Sequence, residues 1–129
     1  MSDPKAQLSS VRNHLLKLHK ILLETERQRY EKVNGRIDDM FQLLNLTIND
    51  PAFAWLRPLS ALIVSIDEKM EDKDSPMTDE GAKTLLREVR ELVSPNQVGN
   101  DFQRNYHWAL QEYPDAVIAH GTTIKLLNG

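Results

Sequence analysis

The stretch Asp50 to Glu68, DPAFAWLRPLSALIVSIDE, decides the fold. It carries the densest apolar run of the chain, with Phe53, Trp55 and the block Ala61 to Val64. Between Pro51 and Ile66 only Arg57, Ser60 and Ser65 are clearly polar, so a helix here is apolar on nearly every side and is expected to be buried. Asp50-Pro51 starts it. The carboxylate can cap the first free N–H groups, and proline at the first helical position gives up no hydrogen bond. The run is too short to span a bilayer, which takes about 20 apolar residues, and Arg57 and Pro58 interrupt it. Leu62-Ile63-Val64 would also suit a strand, a reading that ranks second because the flanking patterns are helical.

Pro58 frees the carbonyl of Ala54 and steers Arg57 away from helical angles. The stretch is therefore either a kinked helix or a short helix followed by a second one from Pro58. Arg57 falls among apolar neighbours, where a guanidinium needs a carboxylate or a carbonyl. It is expected to tie two helices together or, in a functional reading, to bind an anion in a pocket beside Trp55.

Working outward toward the N-terminus, Ser9-Ser10 can cap a helix from near Val11, or earlier if Leu8 joins it. Val11, Leu15, Leu18 and Leu22 form one stripe, and Leu16, Ile21 and Leu23 widen it to an arc of roughly 220° at 100° per residue. Such an arc predicts packing on more than one neighbour. Glu24 to Lys32 is mostly charge, with Tyr30 and Val33 to bury and Lys20–Glu24 and Arg27–Glu31 spaced to pair on the exposed face. Asn34-Gly35 is a stop signal. Arg36 to Leu46 supplies Ile37, Met40, Phe41, Leu43 and Leu44 for a second amphipathic helix, and Leu46 to Asn49 reads as a linker.

Toward the C-terminus, Glu68 to Glu80 reads as an acidic solvated loop lacking the ligand pattern and turn glycine of an EF-hand. Thr78 caps the next helix, whose stripe runs through Ala82, Leu85, Leu86, Val89, Leu92 and Val93. After the loop Asn96 to Asn100 a helix from Asp101 presents Phe102, Tyr106, Ala109, Leu110 and Tyr113. Pro114 restarts a last one with Val117, Ile118, Ile124 and Leu127 inward, weakened locally by Gly121. The fold expected is all-α, a single-domain helical bundle of five to six helices spanning residues 1–129.

Three segments, HLLKLHKILLETERQRYEKVNG, DPAFAWLRPLSALIVSIDE and QEYPDAVIAHGTTIKLL, resemble a family of small uncharacterised bacterial helical proteins. The resemblance covers most of the chain and is most specific in the central segment. It implies the helix break near Gly35 and brings no activity with it.

Composition narrows the functions. The 129 residues are 40% hydrophobic and 27% charged, ordinary for a soluble globular protein. Absence of cysteine excludes disulfides, thiolate metal sites and a cysteine nucleophile. Met1 to Ser10 is polar, without the apolar segment of an export signal, so a cytoplasmic location is expected. Net charge is −3, unevenly spread: residues 1–35 hold seven basic against four acidic side chains, and residues 50–80 hold three against eight. Neither region concentrates the basic face that nucleic-acid binding requires.

No catalytic signature is found. His14 and His19 are five apart and point to different sides of a helix. Glu-x-x-His and paired-histidine spacings are absent, as are the serine-nucleophile elbow and a glycine-rich phosphate cradle. No catalytic residue, metal ligand or cofactor is assigned. Asn105-Tyr106-His107-Trp108 is the only aromatic-polar cluster outside the central stretch, and the candidate pocket for a ligand or partner is Trp55, Arg57, His107 and Trp108. The expected function is an interaction or regulatory module, a homodimer or the binder of a protein partner, motivated by the over-wide first helix. The alternative is a small-molecule-binding bundle or an unrecognised enzyme using the Trp55–Arg57 pocket.

Overall fold

The Asp-Pro start signal of residues 50 and 51 occurs a second time, at Asp3-Pro4, and there it opens the longest helix. In the computed structural model, which describes residues 3–129, α1 runs Pro4–Asn34 with the Asp3 carboxylate accepting from the Lys5 N–H at 3.2 Å. The start expected near Val11 is corrected by two turns: Asp3 and Pro4 together outcompete Ser9-Ser10 as a cap. Leu8, Val11, Leu15, Leu18 and Leu22 are fully buried along this helix. The arc is wide because α1 is central, packing against four of the other α-helices described below and against the 3₁₀ turn. Each of those side chains is worth about 1.5–3 kcal/mol relative to exposure. That outweighs any surface ion pair on the same helix, at about 0–1 kcal/mol.

α1 stops at Gly35, whose φ of 89° and ψ of 173° lie in a region open to glycine alone. The Glu31 carboxylate then accepts from the Ile37 N–H at 2.8 Å and turns the chain back. The second helix, α2, runs Met40–Asn49 and not Arg36 to Leu46. Asp39 caps it through the Gln42 N–H at 2.8 Å, and the supposed linker Leu46 to Asn49 is its last turn.

Asp50 caps a 3₁₀ helix, Pro51–Leu56, and α3 follows as Arg57–Glu71 with Pro58 in its first turn. The central stretch is thus two helices, the second of the two readings Pro58 allowed. It is not buried on nearly all sides. Phe53, Trp55 and Leu56 enter the core, but in α3 only Leu59, Ile63 and Ile66 do, while Val64 and Ala61 face out. α3 lies on the outside of the bundle and continues past Glu68 into what reads as acidic loop.

α4 spans Asp79–Leu92, capped by Thr78 through the Gly81 N–H at 3.0 Å. α5 spans Asp101–Glu112 behind a reciprocal Asn100–Gln103 capping box, and α6 spans Pro114–Asn128. In α6 the inward residues are Ala116, Thr123 and Leu127; Val117 and Ile118 face outward, against expectation. The Gln7 amide and Arg90 guanidinium donate to the last carbonyls of α6, closing that end. The described residues are all-α, six α-helices without a strand, and no helix among them is long and apolar enough to cross a membrane.

Candidate functional site

The charged half of α1 hides the least expected residue of the core. Glu26 is 1% exposed, and its Oε1 accepts from the Trp55 indole Nε1 at 2.7 Å. Arg29, one turn on, grips both carboxylate oxygens with its Nε at 3.2 Å and also donates from Nη2. The same Nη2 donates to Asn105 Oδ1 at 2.9 Å, and the guanidinium carbon lies 3.7 Å from the centre of the Trp108 ring. Trp108 in turn meets Tyr113 edge-on at 5.8 Å. A buried carboxylate demands a cation and donors, and the fold supplies both from α1, the 3₁₀ helix and α5.

Two of the four candidate residues, Trp55 and Trp108, therefore belong to one network, although the arginine joining them is Arg29. Sequence reasoning passed over Glu26 and Arg29. The one available signal was a core tryptophan whose N–H needs an acceptor, since Glu24 and Arg27 repeat the spacing of Glu26 and Arg29. This network is closed. Its carboxylate is saturated, and its chemistry is to lock three elements together.

Arg57 lies elsewhere. It is exposed, and its Nη2 donates to the Ile48 carbonyl at 2.6 Å, placing a cation at the C-terminal end of α2 where the helix dipole favours one. Arg57 thus ties α3 to α2 through a carbonyl, as expected, but it does so from an exposed position and apart from Trp55, which turns inward to Glu26. His107 is half-buried on α5 and takes part in neither arrangement.

Arg57 instead edges a groove of about 490 Å³ between α1, α2, the 3₁₀ helix and α3. Leu23, Leu44, Ile48, Phe53 and Leu56 make its apolar walls, and Thr47, His19 and Ser60 are the remaining polar lining. Ser60 Oγ lies 2.8 Å from His19 Nε2 and 3.3 Å from the Leu56 carbonyl. Burial lowers the His19 pKa below the ordinary imidazole value, so the ring is neutral at pH 7. A serine beside a neutral imidazole is half of a nucleophile–base arrangement. The orienting third group is missing, since among the described residues no partner bonds His19 Nδ1. Nor do the described residues contain three His, Asp or Glu side chains grouped to hold a metal ion.

The groove opens onto the outer face of α2. Phe41 is 85% exposed, Met40 74%, and Leu44 and Ile48 more than half. Only Leu43 of this helix is buried, against the 3₁₀ helix. Four large apolar side chains thus share a surface with the groove walls. No family model, no curated protein and no solved structure matches the chain.

Proposed function

We propose that this chain is a protein-interaction module that docks its partner on the outer face of α2 and the adjoining groove. The carrying observation is the exposed stripe Met40, Phe41, Leu44 and Ile48. Together these side chains leave on the order of 500 Å² of apolar surface in water, near the top of the ~300–600 Å² range for the largest patch on a monomer. At about 25 cal/mol per Å², covering it yields on the order of 12 kcal/mol before the costs of association. A lack of cysteine suits a reducing, cytoplasmic setting for such a module.

The alternative, a small-molecule site, draws on Arg57 and the Ser60–His19 pair in the groove. Against it, the groove shares Leu44 and Ile48 with the open stripe, a shape that suits a partner's side chain better than an enclosed ligand. The test is a photo-reactive phenylalanine analogue in place of Phe41, with the same analogue at Glu88, an exposed position of α4, as control. Irradiation of cells should give a discrete heavier adduct from position 41 and none from 88. Absence of an adduct at 41 would remove the docking reading.

A further inference from the structure

We infer that the occupant of the α2 face is a second copy of this chain, its α2 laid antiparallel across a two-fold axis beside Leu44; the inference rests on the docking reading above. Phe41, Leu44 and Ile48 follow one another at intervals of three and four, the spacing of a seam between paired helices. The seam is symmetric about its own middle. An antiparallel copy brings Leu44 against its equivalent and Phe41 against the other Ile48, which borders the groove. Each subunit thereby offers a large aromatic side chain and a cavity walled by Leu23, Phe53 and Leu56 to receive it, the self-complementarity that a two-fold contact demands.

Charge selects the direction. The start of α2 carries exposed Arg36 and Asp38, and its end carries Asp50 and the exposed Arg57 on the Ile48 carbonyl. Antiparallel pairing sets Asp38 toward Arg57 of the other copy and Arg36 toward Asp50, and it opposes the two helix dipoles. Parallel pairing would align the two dipoles and bring together the two starts, where exposed Asp38 and Asp39 outnumber Arg36. Area agrees as well. The stripe's ~500 Å² alone is more than half of the ~800 Å² that each partner contributes to a stable interface, and the groove walls add to it. Finally, a ten-residue helix with one buried side chain is short of the ~12 residues at which an isolated helix becomes even marginal, so outer cover is what secures it.

Sedimentation equilibrium of the full chain from about 1 to about 200 µM tests this. A dimer is expected. Leu44→Asp should weaken it by about a hundredfold, and at dilutions where both variant and parent are monomeric their circular dichroism and melting should coincide, because the side chain is more than half exposed. Arg57→Glu should weaken it about tenfold, since the two-fold repeats each pair, and adding Asp38→Arg should restore it to within about threefold. A dimer indifferent to Leu44→Asp, or a double variant no better than the single, overturns the inference. So does a monomer throughout, and cross-linking at position 41 then separates the readings. An adduct with a different protein leaves docking standing without self-pairing; no adduct removes both.

Discussion

Removing Arg29 should expose how much the closed network under Trp55 depends on one cation. In Arg29→Met the Glu26 carboxylate, 1% exposed, keeps only the indole N–H at 2.7 Å and loses its charge partner. Breaking a buried pair from one side costs about 3–5 kcal/mol. Here the Arg29 side chain is itself 35% exposed, so water can partly replace it and the low end applies. Loss of the stacking on Trp108, about 0.5–1 kcal/mol at such a site, adds to this. The expected total is about 3.5–4 kcal/mol, a fall in melting temperature of roughly 15 °C for a chain of this length. Combining Arg29→Met with Glu26→Gln should recover about half of it, because a neutral amide still accepts from Trp55 without a buried charge. Urea unfolding followed by far-ultraviolet circular dichroism measures all the variants without relying on the tryptophans. Should Arg29→Met cost under about 1 kcal/mol, or the double variant prove less stable than the single, the network is not what holds α1, the 3₁₀ helix and α5 together.

Gly35→Ala should cost about 1–3 kcal/mol in thermal unfolding, and Gly35→Asn no less, because ψ of 173° lies outside the left-handed region that asparagine tolerates. A Cβ there meets nothing within 4 Å, so steric crowding would not explain the loss, and an asparagine variant as stable as the parent would refute it. Stability should also fall as pH drops from about 7 to about 5, since burial lowers the pKa of both His19 and His120. Near the ordinary value of about 6.5 the unfolded chain takes up protons that the folded chain refuses, so ΔG of unfolding rises with pH through that window and levels off above it. Urea midpoints at successive pH values should show this slope, and replacing both histidines with glutamine should flatten it. A midpoint that rises on acidification contradicts the assignment.

Much of the architecture was legible because helix boundaries are written locally. Asp50-Pro51, Thr78, Asn100 and Pro114 each mark a start by supplying or sparing a hydrogen bond at the first turn, and each stands where such a start occurs. Gly35 marks a stop for an equally local reason. Asp3-Pro4 was written in the same terms and was passed over in favour of the weaker Ser9-Ser10 cap. Glu26 was illegible on other grounds. Its burial depends on a tryptophan 29 positions away and an arginine whose other contacts come from α5. Nothing within a turn of Glu26 distinguishes it from Glu24, which pairs with Arg27 at the surface.

The apolar faces of α1 and α2 carry the sharper lesson. A periodic stripe shows that a face wants cover but not whether the cover lies in the same chain. The wide arc of α1 predicted more than one neighbour, and α3, α4, α5 and α6 supply them from within the chain. Met40, Phe41 and Leu44 suggested an ordinary inward face, yet it is Ile37 and Leu43, with Leu46 in part, that turn to the core, and those three are left in water. Both faces have the same composition; what separates them is the length of chain available nearby to fold over each. α1 is long and central and has four helices to bury it. α2 is a ten-residue arm tethered by Gly35 on one side and the Asp50 cap on the other, and it packs chiefly on the 3₁₀ helix. Its uncovered surface is therefore a property of topology, and it is on that surface that the proposed association rests.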